Sequence, residues 1–276
     1  MMMRLLREAV GGLGESEAGG VRAGIDVIGD LAIVKFSRAS SKVKERAGEK
    51  ILREMRNVKG VFEQEGGIEG EYRLRKLRHL AGERRTTTLH RENGCRFLVD
   101  IAKVYYSPRL STERLAVAMM VRDGERVLNM FAGVGPFSIT IARMRSASVT
   151  SCESNKDAYR LHLENNMMNK VAGMIMTINT DAAALPGKVE GRFDRVLMPH
   201  PSKADRYIGA ALSLVADGGV IHYYRHLSAT DFEEAKSGIM HELREVQGLT
   251  SVEVRKVREV GPRWLEVVAD LQVSRN

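Results

Sequence analysis

Cysteine is nearly missing: Cys95 and Cys152 are the two in 276 residues. Two thiols cannot build a disulfide framework, and they lack the paired spacing of a zinc site, so both read as reduced thiols. Long apolar runs are missing as well, since none approaches the roughly 20 residues that span a bilayer. The opening residues carry Gly and Glu where a signal peptide would carry an apolar stretch. Residues 1–24 are therefore expected to form a poorly ordered tail, and the protein to stay in the cytoplasm. The seven histidines show no metal-ligand spacing. His222 and His226, four apart, lack matching partners and are expected to decorate the exit of a late strand. No metal, membrane or obligatory protein partner is expected.

Acidic residues are scarce in one place. Between 72 and 91 stand seven cations, Arg73, Arg75, Lys76, Arg78, Arg84, Arg85 and Arg91, against the single acid Glu83. The whole chain carries a formal net charge of +8. Such an excess favours a polyanion as partner, and this stretch is the expected nucleic-acid contact. A second basic stretch, 42–59, is tempered by Glu45, Glu49 and Glu54 and reads as a solvated face.

What is present is an α/β pattern in two halves. Apolar runs over 25–36 about a Gly-Asp predict a strand or hairpin. Val43, Ala47, Ile51, Met55 and Val58 recur at helical spacing. A strand follows at 61–64, and a hairpin over 86–90 and 96–104 turns at Glu92-Asn93-Gly94. This half, 25–110, reads as a small α+β domain. After it comes a helix over 111–121 with Ser111 as candidate N-cap. Strands at 126–130, 148–152, 174–178, 193–198 and 220–224 then alternate with helices at 136–143, 156–169, 203–215 and 232–247. That alternation requires a parallel sheet. Two final strands, 252–257 and 264–273, join at Gly261-Pro262. A terminal antiparallel hairpin on a Rossmann-like sheet resembles the fold of methyltransferases that use S-adenosylmethionine, here over 111–276.

The first strand of that half runs into Asn129-Met130-Phe131-Ala132-Gly133-Val134-Gly135-Pro136-Phe137-Ser138. A glycine turn between a strand end and a helix start lets a ligand approach the backbone closely. Ser138 stands where a dinucleotide fold would place its third glycine. Glu153 follows the second strand, where it can bond ribose hydroxyls, and Asp181 follows the third, where it can bind an adenine amino group. Together they predict a nucleoside cofactor. Arg109 and Glu113 are four apart across a helix start, so they can share a face. A guanidinium and a carboxylate so placed could steady an oxyanion and take a proton, or simply pair with each other.

Several strings carry a resemblance: Gly-Gly-Ile-Glu-Gly-Glu at 66–71, Leu-Ala-Gly-Glu at 80–83, Glu-Asn-Gly at 92–94, Val-Tyr-Tyr-Ser-Pro-Arg-Leu-Ser-Thr-Glu-Arg at 104–114 and Met-Phe-Ala-Gly-Val-Gly-Pro-Phe at 130–137. Over residues 25–273 the chain resembles the archaeal and eukaryotic tRNA (guanine-N1)-methyltransferases acting on guanosine 37. The resemblance implies tRNA as partner and S-adenosylmethionine as cofactor. It implies Glu113 as general base, Arg109 on the guanine oxygen and Tyr105 shaping the pocket. It also implies Phe131, Gly133, Gly135, Glu153, Asn155, Asp181 and Pro201 around the cofactor. Two positions depart from the family: Asn129 replaces an aspartate, and Pro199-His200-Pro201 replaces Asn-Leu-Pro, with His200 the candidate to compensate toward substrate. The first 24 residues leave no room for the family's extra N-terminal domain. That shortness is similar to a sister family, which moves the aminocarboxypropyl group of S-adenosylmethionine to the same tRNA position. Arg109 and Glu113 favour methyl transfer. A tRNA-binding protein without activity is the remaining alternative.

Overall fold

The computed structural model describes residues 23–36, 39–171 and 173–275; residues 1–22 of the expected tail lie outside them. The chain divides into two compact units, one running to Arg109 and one from Leu110.

In the first unit, β1 (Ala23–Ile28) and β2 (Leu31–Phe36) form an antiparallel hairpin through Gly29-Asp30. Helix α1 (Ser41–Glu54) starts at Ser40, whose hydroxyl accepts the Val43 N–H, a side-chain cap for an otherwise unsatisfied donor. Val43, Ala47 and Ile51 bury one stripe of it. The helix carries the chain across to β3 (Gly60–Glu69), which lies parallel to β2. Strand β4 (Leu74–Gly82) completes a sheet of order β1-β2-β3-β4. The sequence reading assigned no strand here. Burial along β4 departs from strict alternation, because Arg75 is buried while Leu77 is only partly so. The hairpin β5 (Thr87–Glu92) and β6 (Cys95–Asp100) turns on Asn93 and Gly94, both with positive φ, as a tight two-residue turn requires.

The second unit is a seven-stranded sheet of order β12-β13-β11-β10-β7-β8-β9. Its strands are β7 (Arg126–Asn129), β8 (Ser148–Glu153), β9 (Ile175–Asn179), β10 (Phe193–Met198), β11 (Val215–Ser228), β12 (Leu249–Gly261) and β13 (Trp264–Val273). The first five are parallel, and β12 and β13 add the expected antiparallel hairpin. Helix α2 (Ser111–Met120) leads into the sheet, and α3 (Pro136–Met144), α4 (Lys156–Met168), α5 (Ile208–Leu214) and α6 (Phe232–Leu243) lie between its strands. Two expectations need correction. Ser111 lies inside α2, and Leu110 holds the cap position with no side-chain bond, because a 3-10 turn over Pro108–Leu110 runs straight into the helix. The helix expected over 203–215 is a 3-10 turn, Ala204–Tyr207, followed by the short α5. Chain order reverses between β7 and β10, and the crevice beyond the carboxyl ends of such strands is where open α/β sheets bind ligands.

Candidate active site

Beyond β7 the chain makes the turn 131–135, with Gly133 at φ 56° and Gly135 at φ 93°. At Gly135 a Cβ would stand 2.4 Å from Cδ2 of His162, so only glycine fits. His162 of α4 is fully buried, and burial alone pushes its imidazole down to a pKa of about 3. Beside it, Asn165 Nδ2 donates to the Val134 carbonyl at 3.0 Å. One face of α4 thus moulds the turn. Asn129, the departure from aspartate, donates through Nδ2 to Ser138 Oγ at 3.0 Å and accepts the Phe131 N–H at 3.3 Å. An amide supplies both roles, where a carboxylate supplies only acceptors.

Glu153 ties this turn to the next element. Its carboxylate accepts from Gly133 N and from Asn155 N, each at 2.7 Å. Burial raises its pKa even though these amide bonds pull the other way. Asn155 caps α4, its Oδ1 accepting from Asp157 N and Ala158 N. Asp181 caps the following 3-10 turn through Ala183 N at 2.7 Å and remains exposed. Tyr207 then joins two sites: its hydroxyl donates to Asp181 at 3.4 Å, and its ring meets Phe131 edge-on at 5.0 Å. His200 packs on Phe131 at 5.2 Å, so it stands with the predicted cofactor residues. Pro201 is buried, and its carbonyl accepts from His226 N at 3.1 Å. Neighbouring Cys152 is no nucleophile, because burial and the nearby Glu153 and Asp181 push its thiol up to about 12. A glycine cradle, an aromatic face and an exposed carboxylate at a switch point together fit a purine nucleoside.

Glu113 lies in the first turn of α2 and is 8% exposed. Tyr224 of β11 donates its hydroxyl to Oε1 at 2.7 Å. Arg255 of β12 forks onto the carboxylate through Nη1 and Nη2, both at 3.3 Å. Arg255 also donates from Nε to Asp270 of β13 at 2.9 Å, and Asp270 faces His222 at 2.6 Å. His222 is 1% exposed, at the centre of an ion network, which corrects the expectation that it decorates a strand exit. His226 lies instead near Glu266, at 3.6 Å.

In the first unit, Tyr105 is the platform for a cationic cluster. The guanidinium of Arg73 lies 4.6 Å and that of Arg75 5.8 Å from its ring centroid. Asp26 anchors the group, accepting from Arg109 Nε at 2.7 Å and lying 3.7 Å from Arg75. Arg109 is about half exposed, whereas the Arg75 side chain is 4% exposed. Burial and the neighbouring cations lower the Arg75 pKa, so this residue is no surface contact. Lys76 pairs with Glu65 and Arg78 with Glu63. Arg85 forks onto Asp30, which holds that carboxyl below its usual range, while Arg84 is exposed. Sequence reasoning missed Tyr207, Tyr224, Arg255 and Asp270. They arrive from distant strands and turns with no local spacing to mark them.

The description "TRM5/TYW2 methyltransferase domain" matches residues 88–247, and "TYW2 N-terminal domain" matches residues 6–86. The tRNA (guanine(37)-N(1))-methyltransferase Trm5b of Pyrococcus abyssi is 38% identical over 254 residues, covering 90% of this chain and 74% of that protein. The tRNA 4-demethylwyosine(37)-methyltransferase Taw21 of Saccharolobus solfataricus is 35% identical over 253 residues, covering 91% and 94%. The structure of Methanocaldococcus jannaschii Trm5 in complex with adenosine superposes with a TM-score of 0.78 at 35% identity, covering 95% of this chain and 78% of the other. Family match and identity agree: this chain belongs to the TRM5/TYW2 methyltransferase family.

Proposed function

We propose that the protein is an enzyme that methylates N1 of guanine at position 37 of tRNA, using S-adenosylmethionine, in the cytoplasm. The observation that carries this reading is the carboxylate of Glu113, buried and held by Tyr224 and Arg255 in a chain of the Trm5 type. Guanine N1 bears a hydrogen at neutral pH and becomes a nucleophile only when a base removes it. Glu113 is that base. Oε1 already accepts two hydrogen bonds and Oε2 one, which leaves Oε2 the better placed to take a proton.

Bound S-adenosylmethionine supplies a methyl group on a positively charged sulfur that leaves as a neutral thioether. The residues of this chain bind and orient. Phe131 offers a face to the adenine, Asp181 an acceptor to its amino group, and Glu153 an acceptor to the ribose. The Gly133–Gly135 turn lets the ligand reach the backbone, with Asn155 and Pro201 shaping its edges. Arg109, whose Nε donates to Asp26, is assigned to the oxygen of the base through its Nη donors, where charge grows as N1 loses its proton. Tyr105, with the Arg73 guanidinium over its ring, is the residue assigned to shaping the base pocket, and Lys76, Arg78, Arg84 and Arg85 are assigned to tRNA phosphates. His200 packs on Phe131 and follows Pro199, the residue that replaces the family's asparagine, so it is the candidate to compensate toward the base.

The test is the mass of the product. Unmodified tRNA is incubated with the protein and S-adenosylmethionine, then digested to nucleosides. This reading predicts 1-methylguanosine. An aminocarboxypropyl adduct would replace it with the sister chemistry, and tRNA binding without any transfer would leave a binding protein. The likeness to Taw21 favours a second reading, in which the base methylated is 4-demethylwyosine; tRNA carrying that base would then outcompete tRNA carrying guanine.

A further inference from the structure

Glu113 is the first link in a chain of side chains that crosses the sheet. After Arg255, Asp270 and His222 comes Arg195 of β10, whose Nη1 lies 2.7 Å from His222 Nε2. Arg195 then donates to Glu125 from Nε at 2.8 Å and from Nη2 at 3.1 Å. Guanidinium nitrogens only donate, so His222 Nε2 accepts and Nδ1 carries the hydrogen given to Asp270. His222 thus bridges the two, accepting from Arg195 and donating to Asp270. Arg195 and Glu125 match each other. Among the described residues, the groups hydrogen-bonded in line with the proposed base are one guanidinium between two carboxylates, with the Tyr224 hydroxyl as a further donor. The next cation on the same helix, Arg114, lies over the Phe137 ring at 6.0 Å.

This arrangement answers a chemical difficulty. A carboxylate locked in a private pair with arginine is a weak base, because protonation strands the cation. Here protonating Glu113 strands nothing, since Arg255 keeps Asp270 as partner and the trio passes from one net negative charge to neutrality.

We infer that Arg255 and Asp270 are positioning residues of this reaction, Arg255 aiming Glu113 with a two-pronged grip and Asp270 sharing Arg255 so that Glu113 still accepts the proton. The inference rests on Glu113 as base. In the step, the N1–H bond breaks toward a Glu113 oxygen, and its electron pair stays on the ring nitrogen for the incoming methyl. Asp270 is itself held below the usual carboxylate range: burial works against ionisation, but His222 and Arg255 outweigh it. It therefore stays charged while Glu113 changes state.

The experiment is the pH dependence of single-turnover methyl transfer by the full chain, with saturating S-adenosylmethionine and tRNA. Asp270→Asn leaves Arg255 to Glu113 alone and makes it a weaker base, so the acid limb moves to lower pH by about one unit and the plateau rate falls. Arg255→Gln leaves Glu113 buried without its cation, so the limb moves to higher pH by about one unit. Arg255→Lys restores the limb and leaves the rate low. A structural role alone would lower rates without moving the limbs in opposite directions. Unmoved limbs, or limbs moved the same way, would overturn the inference. Asp270→Ser repeats the first arm should Asp270→Asn not fold, with thermal unfolding as the check on both. Glu113→Gln separates the two claims. Undiminished turnover there removes the base itself, whereas lost turnover with unmoved limbs removes only the roles of Arg255 and Asp270.

Discussion

Single atoms decide much of the chemistry proposed for this chain. At Glu113 the change to glutamine keeps size and hydrogen bonding but removes the site for the proton. General-base catalysis contributes about 10²- to 10⁴-fold, so Glu113→Gln lowers single-turnover methyl transfer by that order. S-adenosylmethionine affinity, measured by titration calorimetry, stays within about twofold, since Phe131, Glu153 and Asp181 are untouched; a rate within threefold of the parent removes Glu113 from the mechanism. Gly135 is a second such point. Alanine there needs a left-handed backbone, costing about 1–2 kcal/mol, and pushes a methyl into His162, adding about 1–3 kcal/mol. Gly135→Ala is expected to lose about 2–5 kcal/mol in urea unfolding and most of its cofactor affinity. An unchanged urea midpoint would show that the turn is not moulded by α4. These two residues were legible in the sequence because their strings are local. The partners of Glu113 were not: Tyr224 lies 111 positions away and Arg255 142, and only the sheet brings them together.

Among the elements, β4 best separates what pattern shows from what packing decides. Its run of cations suggests a nucleic-acid contact, which stays a proposal, whereas its strand character was not legible, because Arg75 takes a buried position that alternation assigns to an apolar residue. The 3.0 Å bond from Arg75 to the Tyr106 carbonyl and the nearby Asp26 make that burial tolerable. The prediction for this strand and the two cations just after it follows from exposure. Neutralising Lys76 and Arg84, both exposed, should weaken tRNA binding and cut the slope of log affinity against log salt by about one per lost phosphate contact. Arg75→Met should instead lower the unfolding midpoint, with the salt slope unchanged. The opposite assignment in filter-binding assays would place the tRNA on another face. The parallel strands and α1, α3, α4 and α6 were legible because apolar periodicity persists along them. The cap of α2 and the short α5 were not, because 3-10 turns lead into both helices and carry no such period.

Over the whole molecule, stability against pH reports on groups that no local assay reaches. His162 has a pKa near 3 in the fold and about 6.5 when exposed, so the unfolded chain binds the extra proton between those values. Its contribution is therefore fully present above pH 6.5 and is lost as pH falls toward 3, at about 1.4 kcal/mol per unit. Asp30, Glu266 and Asp270 have lowered values and act in the same direction below about pH 4, the ordinary range of carboxylates. Glu153, raised by burial, acts the other way, so the reading is a difference: from pH 7 to 5 the urea midpoint should fall more steeply in the parent than in His162→Phe. An equally steep fall in the variant would assign the slope to other groups. The central claim concerns what leaves the cofactor and where it arrives. One reaction addresses both: S-adenosylmethionine labelled with tritium in the methyl group and carbon-14 in the carboxyl group, offered with tRNA carrying guanosine or adenosine at position 37. The account predicts tritium alone, one methyl per tRNA on the guanosine form, and none on the adenosine form. Carbon-14 in the tRNA, or equal tritium in both forms, would contradict it.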